Sequence, residues 1–366
     1  MDDSLRRRPS RKPERAPVSR SGRRRVLRAL PLVPVALLAP QGARATDVGD
    51  PPPSLWRTTV VGLDAPLAAR LQALQPDTIT ADDVRSVLRA VPAPRIIALH
   101  GSVPLVTMRP FAEFLVAMGY PVAQIRNPSD GSLSYSSFVD SRELAGTIAW
   151  YYERDGIAPL LIGHSQGGMM AVKALHELAG GFDRPVPVFD PVSGAALARS
   201  TIVDPLDGRA RPVIGLRIPY AAAIATGKGM RIMLLQWDML DRLRRIPDSV
   251  EAFDGFFIPG DPFTAFDGDD DRYRATGKAE VRNVVLPATY SHVGAPLCAH
   301  LAENPATRAW IDAFDPRVAP TAPPDWPGTD TQNLVHAAYI WHSVKRHWCR
   351  GAQRLLAAAP RPAAPN

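Results

Sequence analysis

Short apolar runs of four to six residues alternate along the chain with longer stretches whose apolar positions recur every three or four residues. The first pattern suits a strand buried on both faces, the second an amphipathic helix. Strands are expected at 57–62, 95–100, 121–126, 159–163, 186–189, 256–259 and 281–286. Helices are expected at 64–75, 80–90, 109–118, 138–154, 166–179, 231–245 and 332–348, and in pieces over 298–313. Within 138–154, Leu144, Ile148 and Tyr151 with Ala145 and Ala149 form one apolar stripe. Thr80 followed by Asp83 gives the second helix a capping-box-like start. Strands alternating with helices predict an α/β protein with a mostly parallel sheet covered on both faces.

Residues 195–250 break this alternation. They hold Tyr220 and the Ala-rich run after it, then Gly227-Lys228-Gly229, then an apolar stretch from Met230 to Ile246. They are expected to form a helical cap inserted between two strands. The Pro-rich stretches 316–327 and 359–365 read as surface connections or a tail.

Charge changes the picture at one end only. The chain of 366 residues carries a formal net charge of +7, but residues 1–45 hold 12 Lys and Arg against 3 Asp and Glu. The remainder holds 31 basic and 33 acidic residues, so nucleic-acid binding loses its main support. Residues 29–40 are apolar, contain three prolines, and precede the small-x-small pattern Ala43-Arg44-Ala45. Basic, apolar, then small-residue segments follow the order of an export signal. A spanning helix needs about 20 apolar residues, so no stable membrane anchor is expected. Residues 1–45 are therefore expected to be a signal and 46–366 the mature domain, periplasmic or secreted. Arg23-Arg24-Arg25-Val26-Leu27-Arg28 resembles the twin-arginine export signal, which implies a bacterial protein handed folded to the export machinery. Two cysteines, Cys298 and Cys349, permit one disulfide in such a compartment.

The chemistry concentrates in Leu160-Leu-Ile-Gly163-His164-Ser165-Gln166-Gly167-Gly168, which reads strand, G-x-S-x-G, helix. Gly163 and Gly167 leave room for a tight turn, Gly168 lets the helix pack close to the sheet, and Ser165 is then presented at the helix N-terminus. A serine hydroxyl needs a base, and the base an orienting acid. Of the eight histidines, His292 lies in the loop after the last expected strand. His164 sits in the elbow itself and is expected to point elsewhere. No two histidines form an i, i+4 metal pair, and no metal or cofactor is expected. Asp261, just past strand 256–259, is the expected acid, and Asp190 after 186–189 is the alternative. The oxyanion donors are expected to be the backbone N–H groups of Gln166 and, after His100-Gly101, Ser102.

With these residues in view, the chain resembles the α/β-hydrolase family over about residues 90–315. GHSQGG is similar to the nucleophile elbow of lipases, esterases and thioesterases. The resemblance implies an eight-stranded, mostly parallel sheet with a helical cap and a Ser165–His292–Asp261 triad. The expected activity is cleavage of a small-molecule or lipid carboxylic ester through an acyl-enzyme. Leu105, Val106, Met108, Met169, Met170, Tyr220, Met230, Met233 and Trp237 are apolar candidates for the acyl pocket, although each also suits plain core. A thioesterase or amidase using the same residues, a cofactor-free perhydrolase, or an exported non-catalytic binding protein on the same fold are the alternatives.

Overall fold

The computed structural model describes residues 62–359, apart from 104, 228–235, 265–267 and 319–322. The signal expected at 1–45 and most of the strand expected at 57–62 lie outside these residues.

Five strands form one parallel sheet: β1 (Ile96–Leu99), β2 (Leu160–His164), β3 (Ile218–Ile224), β4 (Val250–Phe257) and β5 (Glu280–Val285), adjacent in that order. Ile96 faces Leu160, Leu161 faces Ala221, Ile218 faces Val250, and Ala252 faces Glu280. Helices α1 (Ala65–Ala73), α2 (Ala81–Ser86), α3 (Arg109–Ala117), α4 (Ser141–Asp155), α5 (Gln166–Leu178), α6 (Ala299–Glu303), α7 (Pro305–Asp312) and α8 (Leu334–Ala358) surround it.

The period-two geometry of a strand divides the core into two halves. Leu160 and Ile162 of β2 belong to the half that contains α3 and α8, and Leu161 to the half that contains α4 and α5. The Thr80 capping box forms as expected: Thr80 Oγ1 accepts from Asp83 N at 3.1 Å, and Asp83 Oδ2 accepts from Thr80 N at 3.0 Å. Gly156 ends α4 at φ 69°, a left-handed cap that glycine adopts without a Cβ penalty.

Several expectations are corrected. The sheet has five strands among the described residues, not eight. Segment 121–126 contains a 3₁₀ turn, Val122–Gln124, instead of a strand. Only Ile125 of that run is buried, so it has no apolar face to offer a sheet. The edge of β1 is met instead by Tyr135, whose N–H donates to Ala98 O at 2.7 Å and whose carbonyl accepts from His100 N at 3.0 Å. Residues Phe189–Asp190 pair antiparallel with Ala195–Ala196 in a two-stranded ribbon outside the main sheet.

The helical cap expected at 195–250 is also corrected. Its described residues hold a β-ribbon (Thr201–Val203 with Ala210–Pro212), the central strand β3, a 3₁₀ turn (Trp237–Met239) and the short strand Arg245–Ile246. Periodicity cannot distinguish a short buried helix from a strand buried on both faces, and the Ala-rich run of β3 is the latter. Its small side chains let α5 approach closely: a Cβ on Gly168 would lie 3.0 Å from that of Ala223 and overlap Thr226 Oγ1.

Cys298 and Cys349 are both free and buried, so the expected disulfide is absent. The Cys298 thiol lies 3.5 Å from Ala295 O and 3.7 Å from His336 Nε2, and Cys349 is buried on α8. Among the described residues no helix is long and apolar enough to cross a membrane.

Candidate active site

The carboxyl ends of β2, β4 and β5 bring together three side chains. Ser165 follows the last residue of β2 and precedes the first of α5, with φ 54° and ψ −117°. A non-glycine residue in that region costs about 1–3 kcal/mol and persists only where its surroundings enforce it. Here they do. Ser165 N donates to Ile224 O at 2.8 Å, and Ser165 O accepts from Thr226 Oγ1 at 2.9 Å and from Gly168 N at 3.1 Å.

The elbow glycines are there for lack of space. A Cβ on Gly163 would overlap the Gly167 main chain, and one on Gly167 would overlap Leu99 O. Both obstacles are backbone, which cannot swing aside. Gly167→Ala is therefore expected to cost about 3 kcal/mol or more in folding stability, measured by denaturant unfolding. A loss under about 0.5 kcal/mol would contradict this packing.

His292 Nε2 lies 3.0 Å from Ser165 Oγ, and His292 Nδ1 lies 2.6 Å from Asp261 Oδ2. Ser165, His292 and Asp261 are 2%, 7% and 6% exposed, so all three groups interact largely out of water. Burial pushes the Asp261 carboxyl up. Hydrogen bonds from His292, Phe263 N and Thr264 outweigh it and hold the carboxyl below its ordinary value. Asp261 Oδ1 accepts from Phe263 N at 2.9 Å, so each carboxylate oxygen has its own donor.

Asp190 is elsewhere. Its carboxylate closes its own ribbon turn, accepting from Val192 N at 2.8 Å and Ser193 Oγ at 3.0 Å. The alternative acid is thereby set aside: residue 190 lies off the main sheet.

The expected oxyanion donors border the nucleophile. The Gln166 N–H is in the first turn of α5, where no intrahelical carbonyl satisfies it. Its side chain is turned away, with Nε2 donating to Ser137 O at 3.2 Å. Ser102 follows Gly101, which packs directly on the nucleophile: a Cβ at 101 would be 3.1 Å from Ser165 Cβ and 3.1 Å from His164 Nδ1. His100 turns back on its own loop, its Nδ1 2.6 Å from Gly101 O.

The apolar candidates divide. Met108, Met169, Met170 and Tyr220 are buried in the core. The Tyr220 hydroxyl donates to Asp254 Oδ2 at 2.8 Å under α8. Met230 and Met233 lie outside the described residues. Trp237 and Leu105 are exposed, Leu105 at 98% with φ 75°. Phe263, Val293 and Leu297, on the loops carrying Asp261 and His292, are exposed as well, as is Val103 beyond Ser102. The Phe263 ring lies 4.7 Å from that of His292. A cavity of about 280 Å³ adjoins His292 and Asp261, lined by Pro259, Asp261, Phe263, Tyr290, His292 and Val293.

Three contributors were not foreseen from the sequence. Thr226 anchors the elbow carbonyl, Phe263 covers the imidazole, and Asn333 holds the base loop, donating from Nδ2 to Gly294 O at 2.8 Å and Leu297 O at 3.0 Å. Only Phe263, two residues past Asp261, carried a signal. Among the described residues no group of three His, Cys, Asp or Glu side chains is placed to hold a metal ion.

The arrangement can activate a serine hydroxyl, hold the imidazole in one tautomer, and offer backbone donors to a developing oxyanion. Against protein-family models, curated proteins and solved structures alike, the chain finds no match.

Proposed function

We propose that this protein is a serine hydrolase of the α/β-hydrolase type that cleaves carboxylic esters through an acyl-enzyme. The observation that carries the reading is the unbroken hydrogen-bond chain from Ser165 Oγ through the His292 ring to Asp261.

In the proposed reaction, His292 Nε2 takes the Ser165 proton as Oγ attacks the ester carbonyl. The Gln166 and Ser102 N–H groups hold the oxyanion. His292 then protonates the departing alcohol, and a water activated by the same imidazole cleaves the acyl-enzyme. Asp261 keeps the proton on Nδ1, leaving Nε2 free to accept. The N-terminus of α5 favours negative charge at Ser165. The exposed Leu105, Phe263, Val293 and Leu297 beside these groups support an apolar acyl or alcohol group.

The basic, apolar, small-residue order of residues 1–45 supports export by the twin-arginine route, leaving 46–366 as the acting domain outside the cytoplasm.

A leaving-group panel tests the activity. p-Nitrophenyl esters of two to twelve carbons would be compared with the thioester and anilide of the same acyl chain. The expected result is higher kcat/KM for the oxygen ester, with turnover by Ser165→Ala reduced about a million-fold. Preference for the thioester or anilide would keep the triad and replace the substrate class. No turnover of any member above the Ser165→Ala background would contradict the reading.

A further inference from the structure

We propose that His164 is a positioning residue for the base: its Nε2–H holds the main chain of His292 in register with the strand that carries the nucleophile. This inference rests on the acyl-transfer reading above.

His164 Nε2 lies 2.8 Å from His292 O, and the two rings are 5.0 Å apart. The carbonyl can only accept, so the Nε2 of His164 must carry the proton. Nδ1 is buried with no hydrogen-bond partner and faces Gly101. His164 is 1% exposed, and burial, followed by the nearby His292, pushes its basicity down to about 3. It is therefore a neutral, single-tautomer donor at neutral pH.

The leverage comes from where His164 stands. It ends β2, one residue before Ser165. Its ring packs on the oxyanion turn at Gly101 on one side and binds the base loop on the other. The far half of that loop is fastened to α8 separately, by Asn333 to Gly294 O and Leu297 O and by His336 Nε2 to Ala295 O at 2.9 Å. At residue 292 itself the carbonyl has the His164 bond and one longer contact, from Ala295 N at 3.4 Å. The His164 bond thus ties nucleophile and base together through the backbone, independently of their side-chain contact. A reacting group displaced by about 1 Å can lose about 100-fold in rate, which is the scale of effect expected.

Three variants and two readouts test this. His164→Gln carries an amide nitrogen near the Nε2 position, His164→Asn stops a bond short of it, and His164→Leu removes the donor. With p-nitrophenyl butyrate as probe, kcat is expected to fall about 100-fold in His164→Leu and His164→Asn, with KM within about threefold of wild type. His164→Gln is expected to recover most of the loss. The second readout is the far-downfield proton resonance of His292 Nδ1–H bound to Asp261. It should persist in wild type and His164→Gln and broaden or vanish in the other two. Equal kcat in all three variants, or an unchanged resonance in His164→Asn and His164→Leu, would overturn the proposal. Because the resonance needs no turnover, it separates failure of this inference from failure of the esterase reading.

Discussion

Ser165→Ala is expected to lower kcat toward an ester about a million-fold, and His292→Ala by a similar factor. In the proposed reaction the two groups act as one unit: Nε2 is 3.0 Å from Oγ, and neither would begin acyl transfer alone. The double variant is therefore expected to be no slower than either single one. Residual rate over water, about 10³–10⁴-fold, would come from the donors at Gln166 and Ser102 and from substrate binding. KM is expected to change little, because both groups act in the transition state and contribute little to binding the ester itself. Steady-state kinetics of the three variants checks this. Multiplicative losses in the double variant would mean that the two residues act independently, against the geometry.

Asp261→Asn is expected to cost about 10⁴-fold in kcat with the fold intact. The reason lies in how the two carboxylate oxygens are used. Oδ1 accepts from Phe263 N, and Oδ2 accepts from His292 Nδ1. Asparagine has one acceptor to offer. With its oxygen kept on Phe263 N, its amino group faces His292 Nδ1 and forces the imidazole proton onto Nε2, which then cannot accept from Ser165. Asp190→Asn is the matched control and is expected to keep kcat within about twofold, since its carboxylate serves only its own turn.

Asp261→Asn is also expected to alter acid stability. The Asp261 carboxyl titrates below its ordinary value of 3.8 in the folded protein. A depressed folded value means the carboxylate stabilises the fold fully above about pH 4 and loses that contribution as pH falls through the depressed value. Asp261→Asn should remove this part of the acid unfolding profile. A profile unchanged below pH 4 would contradict the assignment.

The residues of the site were more legible in the sequence than the sheet around them. Gly163 is constrained by the Gly167 main chain four residues on, and Gly167 by Leu99 O of the neighbouring strand, but both needs fall inside one tight strand-to-helix turn, and so short a turn leaves a readable motif. His292 follows a strand expected at 281–286 and found at Glu280–Val285, whereas the strand before Asp261, expected at 256–259, runs over Val250–Phe257, so only its carboxyl end was legible. The sheet was harder because its limits are set by partners distant in sequence. Nothing within 121–126 reveals that Tyr135 takes the place beside β1. The Ala-rich β3 looks helical until β2 and β4 are placed on either side of it. Asp190 and Asp261 look alike in sequence because each follows an apolar run. Only the pairing of Phe189–Asp190 with Ala195–Ala196 takes Asp190 away from the base. The role of His164 was invisible for the same reason, since its partner is a backbone carbonyl 128 residues away.

Activation of Ser165 by His292 is tested most directly by covalent labelling. The protein would be exposed to a fluorophosphonate, its intact mass measured, and any adduct mapped by peptide. One adduct is expected, on Ser165, absent in His292→Ala and much slower to form in Asp261→Asn. No adduct on the folded wild-type protein, or equal labelling of the His292→Ala variant, would contradict it.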